Sequence, residues 1–477
     1  MKRIHLLSLL ACSTISSLAH ANGYLVARFG ADHGTPAMAN TFAVFYNPAA
    51  IAGTDGTNIS LDAAPVLRIA TYERGNDALS NPALADPNNN SADAIRYRAA
   101  NTGKATLTNL QALGFFGLTT DLGLKNSPIR IGYATSIPFG GQAMWDKRSD
   151  AITKDPEAPG AIDGVQRWAN ISGRIFSIFN TLAVSAMIVD KPTARFSVGA
   201  SFSAVYNIVD TSRARTIGSN DDSLQVGNTL AEGRALVQAH GLNFAAGAGL
   251  YFEIPKKLSL GLSYMSQPGF GTMRLSGELT ADNAFATKAT AVPIEFLQTF
   301  PDVIRFGAEY RATDKITLRS DLEFARWSVF DKQCVVNPGS ACEIQADGNA
   351  AAGSNIQVNI PRNWKDAIGA RLGMGYQLSD DTEIFGSGAF ATKAAPNSTM
   401  DASTIDAFRI YATAGVRHNF SNHFQLGSSL NGIFFLPNDT GGANNLDKLQ
   451  GVSKSPSGDG KYTSIIAFLN VNGTYRF

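Results

Sequence analysis

The chain has 477 residues, a formal net charge of +1, and a composition that is 44% hydrophobic and 9% aromatic with 45 glycines. A charge this close to balance excludes the basic face that a nucleic-acid partner requires. No run of eighteen uninterrupted apolar residues follows the first residues of the chain, so no helix is expected to cross a bilayer.

The chain opens MKRIHLLSLLACSTISSLAHA. Lys2 and Arg3 form a positive start, Ile4 to Ala11 an apolar core, and Ala19-His20-Ala21 a small-residue cleavage site. Residues 1–21 therefore read as a secretory signal peptide. A second reading takes Leu10-Ala11-Cys12 as a lipoprotein processing site with Cys12 lipidated. Next comes TFAVFYNPAAIAG at 41–53. It does not alternate like a strand, and its Pro breaks any long helix. Residues 22–56 are expected to form a separate N-terminal unit ahead of the regular elements at 57–477.

From residue 57 the dominant signal has period two. In FSVGASFSAVY (196–206), Phe196, Val198, Ala200, Phe202, Ala204 and Tyr206 share one face. In the last stretch, Ile465, Ala467, Leu469, Val471, Tyr475 and Phe477 share a face opposite Asn470, Asn472, Thr474 and Arg476. Strands are expected at 57–72, 107–120, 128–139, 171–189, 194–210, 237–253, 257–279, 302–311, 315–327, 364–378, 382–392, 407–419, 423–437 and 462–477. Gln267-Pro268-Gly269 is read as a bulge within one strand, because splitting there gives an odd count. Tight turns at Lys191-Pro192-Thr193, Ile254-Pro255-Lys256, Ala312-Thr313-Asp314 and Ser421-Asn422 alternate with long segments at 73–106, 140–170, 211–236, 280–301, 328–363, 393–406 and 438–461. Short turns at one end and long loops at the other predict an all-β, 14-stranded antiparallel transmembrane β-barrel of a bacterial outer membrane. Closure removes the sheet edges that lipid would not tolerate.

Alternation assigns Arg305, Glu309 and Arg311 to the lumen on one strand and Arg319, Asp321 and Glu323 on the next. It places Arg305 opposite Asp321. Trp327 and Trp364 fall at the long-loop ends of their strands and are expected in an aromatic interface girdle. Cys334 and Cys342 remain after the signal and are expected to form a disulfide across Asn337-Pro338-Gly339. There is no G-x-S-x-G and no H-E-x-x-H. His33, His240, His418 and His423 sit in no recognisable catalytic spacing, and Gly460-Lys461 lacks the rest of a phosphate loop. The sequence calls for no enzyme activity, no cofactor and no metal.

Several stretches together resemble the FadL/TodX family of outer-membrane transport proteins for long-chain fatty acids and aromatic hydrocarbons. They are Asn47-Pro48-Ala49, SIPFGGQAMWD (136–146), GAGLYFEIPKKLSLGLSYMS (247–266), Phe300-Pro301-Asp302, Phe324-Ala325-Arg326-Trp327-Ser328-Val329-Phe330, Asn363-Trp364-Lys365-Asp366 and the terminal Tyr475-Arg476-Phe477. The resemblance implies a monomeric barrel with residues 22–56 folded inward as a hatch. Phe42, Phe45, Tyr46, Asn47, Pro48 and Ala49 would form that hatch and face a hydrophobic pocket. It also implies a lateral exit beside the third strand, at Gly132, Pro138, Phe139 and Gly140, where Pro and Gly weaken strand pairing. The chain departs from the family at Tyr264-Met265-Ser266, at Gly241-Leu242-Asn243-Phe244, and at Asn207-Ile208, where fatty-acid members tend to place a basic residue. These departures leave a neutral or differently anchored ligand open. The expected function is passive uptake of hydrophobic small molecules, with loops 140–170 and 211–236 as the capture surface. The alternatives are a general diffusion porin and an outer-membrane lipid-modifying enzyme. Expected partners are the hydrophobic ligand, outer-membrane lipid and lipopolysaccharide, and the barrel assembly machinery acting on the strand that ends in Phe477.

Overall fold

The computed structural model describes residues 28–124, 127–216, 221–227, 229–282 and 289–477. The expected signal peptide at 1–21, Cys12 and residues 22–27 lie outside the described residues. The fold is a closed antiparallel barrel of fourteen strands. They are β1 (Thr57–Arg74), β2 (Gly103–Thr120), β3 (Ile129–Met144), β4 (Ser172–Lys191), β5 (Ala194–Thr216) and β6 (Glu232–Ile254). β7 (Leu258–Met265, Thr272–Asp282), β8 (Thr290–Thr299, Val303–Arg311), β9 (Ile316–Ala325, Lys332–Val336) and β10 (Ile356–Pro361, Ala367–Gln377) each run in two segments. β11 (Thr382–Ala391), β12 (Arg409–Asn419), β13 (Phe424–Phe435) and β14 (Lys461–Arg476) complete the wall. β14 pairs with β1 from Asn58↔Arg476 to Glu73↔Lys461, which closes the cylinder.

The alternation that marked these strands has a simple cause. One face of each strand meets lipid, and the other meets the lumen. Phe202, Tyr206, Leu242, Leu372, Leu430 and Leu469 point outward and are exposed, whereas Ser197, Ser203, Asn207, Ser429 and Asn470 point inward and are buried. The strand readings from sequence lie on the observed strands. They fall short inside segments expected to be loops: 290–299 continues β8, 332–336 with 356–361 continue β9 and β10, and β2, β3, β5 and β6 also run past their expected ends. β7 is one barrel strand, but a 3₁₀ turn at Pro268–Phe270 interrupts it rather than a simple bulge.

The interruptions are coordinated. Met265 pairs with Val303, Val303 with Ala325, and Ala325 with Ala367, so these residues form one row across β7 to β10. Each strand leaves the ladder just past that row, at 266–271, 300–302, 326–331 and 362–366. Pro268 and Pro301 lack the N–H a ladder needs, and Trp327–Val329 takes a 3₁₀ turn. Polar links replace the lost rungs: Arg326 Nε donates to Asp302 (2.7 Å), and the Ser328 amide donates to Asp366 (2.8 Å).

Residues 28–56 lie inside the barrel. The stretch around Asn47-Pro48 forms a four-residue helix, Ala43–Tyr46, and then a 3₁₀ helix, Pro48–Gly53. Pro48 occupies the first helical position, where its missing N–H costs nothing. One side of this segment is charged and meets β9 to β12. Arg371 reaches Asp32 (3.2 Å) and also binds Asp321, His33 lies 3.0 Å from Glu383, and Ser387 donates to Asp32 (2.6 Å). The other side is apolar and meets β2 to β5. Phe42 stacks against Phe115 (5.0 Å), and Val44 with Ile51 fills the space over Gly132. The expected pairing of Arg305 with Asp321 is corrected by two residues. Arg305 stands opposite Glu323 and binds it at 3.1 Å, because β9 begins one residue later than the turn placed it.

Candidate functional site

An enclosed, mostly apolar cavity lies in the lumen on the long-loop side of the N-terminal segment, at the level of the strand interruptions. Phe139 of β3, Ile175 of β4, Ala235 and Val237 of β6, Leu279 of β7 and Phe296 of β8 form much of its wall. Phe300, Phe330 and Trp364 complete an aromatic arc, and each stands in one of the interruptions of β8, β9 and β10. The ladder alternates side chains strictly. Leaving it frees these residues to turn inward, and the three neighbouring interruptions of β8, β9 and β10 turn them onto one another. Phe139 and Phe300 lie 4.3 Å apart between centroids, Trp327 and Trp364 4.7 Å, and Phe330 and Trp364 4.7 Å. Trp327 and Trp364 are therefore not girdle anchors. They are buried in the lumen, at 0% and 4% exposure. The sequence hid this because an aromatic at a strand's loop end looks the same whether it faces lipid or lumen.

The polar part of the cavity wall comes from Arg174, Arg213, Gln333, Arg362, Ser403 and Thr404. Arg362 uses four of its five N–H groups: it donates to Gln333 (2.9 Å), Asp401 (3.1 Å), Thr404 (3.1 Å) and Ser403 (3.1 Å). Arg174 pairs with Asp210 at 3.1 Å. Sequence reasoning passed over Arg213 because it placed 211–236 in a long loop, whereas β5 runs on to Thr216 and carries Arg213 into the wall.

Phe42, Phe45 and Tyr46 lie outside this cavity's wall. They pack beneath it around Phe29 and Phe115, and the Arg305 guanidinium sits 4.7 Å from the Phe45 ring centroid. Asn47 serves the fold of the segment. Its side chain accepts from the Ala49 amide (3.1 Å) and donates to the carbonyls of Pro36 (2.8 Å) and Leu250 (3.0 Å). Ser197 fixes the Ala49 carbonyl at 2.8 Å. Gly199 leaves room for this approach: a Cβ there would collide with the backbone of Pro48 and Ala49.

β3 carries the other candidate residues. Ser136 pairs with Phe179 and Phe139 with Ser177, so Ile137 and Pro138 together face Ile178 alone. This bulge reverses the inward parity of β3. Gly132, Ala134 and Ser136 are buried before it, and Phe139, Gly141 and Ala143 after it, with Gly140 half-buried. Phe139 is thereby turned into the cavity. On the β2 side the ladder runs only from Thr120↔Ile131 to Phe115↔Ser136. It resumes as a single bridge at Leu107↔Trp145, with the Asp146 amide on the Thr106 carbonyl. Between these points residues 108–114 and 137–144 share no ladder pair, and one side-chain bond, Asn109 to the Gln142 carbonyl (2.9 Å), crosses the gap.

Cys334 and Cys342 are joined, which ties the top of β9 to the following loop. The expected capture loops are partly wall, since 140–144, 211–216 and 232–236 extend β3, β5 and β6. The described residues of their remainder form a roof tied together by buried ion pairs. Arg167, fully buried, donates to Glu232 (2.8 and 3.0 Å) and to Asn101 (2.9 Å), and Arg74 pairs with Asp222 at 2.6 Å. Burial alone would push the Asp163 carboxyl up, but the Lys147 ammonium and the Arg234 guanidinium hold it below the usual carboxylate range.

The profile of the family described as outer membrane protein transport protein (OMPP1/FadL/TodX) matches residues 177–477. An outer membrane protein of Neisseria meningitidis serogroup B is 20% identical over 98% of this chain and 97% of its own length. Among solved structures, a Pseudomonas aeruginosa FadL homologue superposes with a TM-score of 0.70 at 15% identity, covering 97% of this chain and 99% of that one. The Ralstonia pickettii toluene transporter TbuX gives 0.58 at 14%, covering 94% and 98%. The P. putida toluene transporter TodX gives 0.60 at 12%, covering 94% and 97%.

Proposed function

This chain belongs to the OMPP1/FadL/TodX family of outer-membrane transport proteins, and from that premise we propose that it takes up hydrophobic small molecules passively, one at a time, through the lumen. The observation that carries the reading is the aromatic cavity, with a packed N-terminal segment on one side and an unlaced stretch of wall beside it. Burial of apolar surface, at roughly 25 cal/mol per Å², holds the ligand. Residues 28–56 act as a hatch. Phe42, Phe45 and Tyr46 form its core, and Asn47, Pro48 and Ala49 form its brace. The ligand leaves sideways between β2 and β3, past Phe139 and the bulge at Pro138, with Gly132 and Gly140 giving the strand room to bend. The toluene transporters among the structural neighbours support a ligand of small girth. The barrel works as a monomer, sits among outer-membrane lipid and lipopolysaccharide, and offers the strand ending in Phe477 to the barrel assembly machinery.

The test is uptake of labelled toluene by cells with and without the protein, paired with planar-bilayer recording. Faster uptake with no steady ion current is the expected result. A steady current through the intact protein, with no gain in uptake, would replace this reading with a diffusion porin.

A further inference from the structure

Resting on the uptake reading, we propose that the molecule the cavity selects is an aromatic carboxylate, a single ring with an anionic head, and that Arg213 takes the carboxylate. Arg174, Arg213 and Arg362 line the cavity, and no Asp or Glu does. Arg174 and Arg362 are engaged by Asp210 and Asp401. Arg213 makes no hydrogen bond or ion pair among the described residues. The nearby carboxylate, Asp401, is already held by Arg362, Ser403 and Thr404. Arg215 and Arg362 add further positive charge around it. Arg213 is half-buried, and a guanidinium partly withdrawn from water against an apolar wall gains from an anion that pairs with it. The guanidinium fork matches a carboxylate with two parallel hydrogen bonds.

The rest of the wall sets the size and character of the ligand. Phe139, Phe296, Phe300, Phe330 and Trp364 offer ring faces and edges suited to another ring. The cavity volume is about 90 Å³. It is of the same order as the ~150 Å³ apolar cavity that admits benzene, and too small for an extended acyl chain. A neutral arene fills such a space but leaves Arg213 unpaired. A ring bearing a carboxylate satisfies both ends.

The experiment measures binding of benzoate and of nitrobenzene, its uncharged near-isostere, to the full-length protein in detergent at pH 7. The wild type is compared with Arg213→Gln and Arg213→Lys. Benzoate is expected to bind at least tenfold more tightly than nitrobenzene. Arg213→Gln is expected to remove that preference and leave nitrobenzene within twofold, while Arg213→Lys keeps part of it. Equal binding of the two probes by the wild type overturns the proposal. Should Arg213→Gln fail to fold, judged by loss of its heat-dependent gel shift, the wild-type ratio decides alone. The two readings separate cleanly. Toluene uptake without a benzoate preference removes the anionic ligand and leaves uptake standing. A benzoate preference without uptake of either compound keeps the binding site and removes the transport reading.

Discussion

At the scale of single residues, the N-terminal segment is held by a few side chains whose loss is measurable. Asn47→Ala removes three hydrogen bonds that brace a buried turn. At about 1 kcal/mol net for each, docking of 28–56 weakens by roughly 2–3 kcal/mol. Amide exchange across those residues should accelerate roughly 30- to 150-fold, while the strands keep their protection. Gly199→Val forces the backbone of Pro48 and Ala49 off the β5 wall. Planar-bilayer recording should then show ion current that the wild type lacks, with the barrel still folded. Trp327, fully buried among Phe139, Phe300, Phe330 and Trp364, is a third point. Trp327→Ala leaves a cavity costing about 3–5 kcal/mol, read as a lower denaturant midpoint.

At the scale of elements, the bulge in β3 is the feature to remove. Deleting Pro138 leaves one residue opposite Ile178 and restores a regular ladder to β4. It should also let β3 lie flat against β2 across the present gap. Ligand binding should survive and uptake should fall at least tenfold; unchanged uptake would argue for a route straight past the N-terminal segment. Much of this scale was legible in the sequence. The strands of β11 to β14 read almost to the residue, because a wall between lipid and lumen imposes strict alternation. The interruptions in β7 to β10 were not legible. Pro268 read as a bulge within one strand, and the proline and aromatic residues near 301, 327 and 364 read as strand ends; only the pairing of four neighbouring strands shows that they share one level. The cavity stayed hidden for the same reason, since its residues come from strands far apart in sequence.

At the scale of the whole molecule, acid should loosen the roof before the barrel. The folded-state pKa of Asp163 lies below its unfolded value, so its contribution is complete above about pH 4. It is lost as the pH falls through the depressed value, when the protonated carboxyl no longer holds Lys147 and Arg234. Amide exchange in 145–171 should therefore rise between pH 5 and pH 3 while β11 to β14 stay protected; equal protection at both pH values would mean other contacts hold the roof. The row of interruptions has a mechanical consequence as well. A laced cylinder resists any change in girth, because each strand is bound to both neighbours along its length. Where four adjacent strands are unlaced at one level, the wall acquires a line of compliance. Guests of slightly different width can then be accommodated by elastic give in that arc, with no work done on the charged anchors of the N-terminal segment. On the proposed uptake route, fitting of the guest and opening of the exit would thereby fall to different sectors of the same cylinder, so each could vary without disturbing the other.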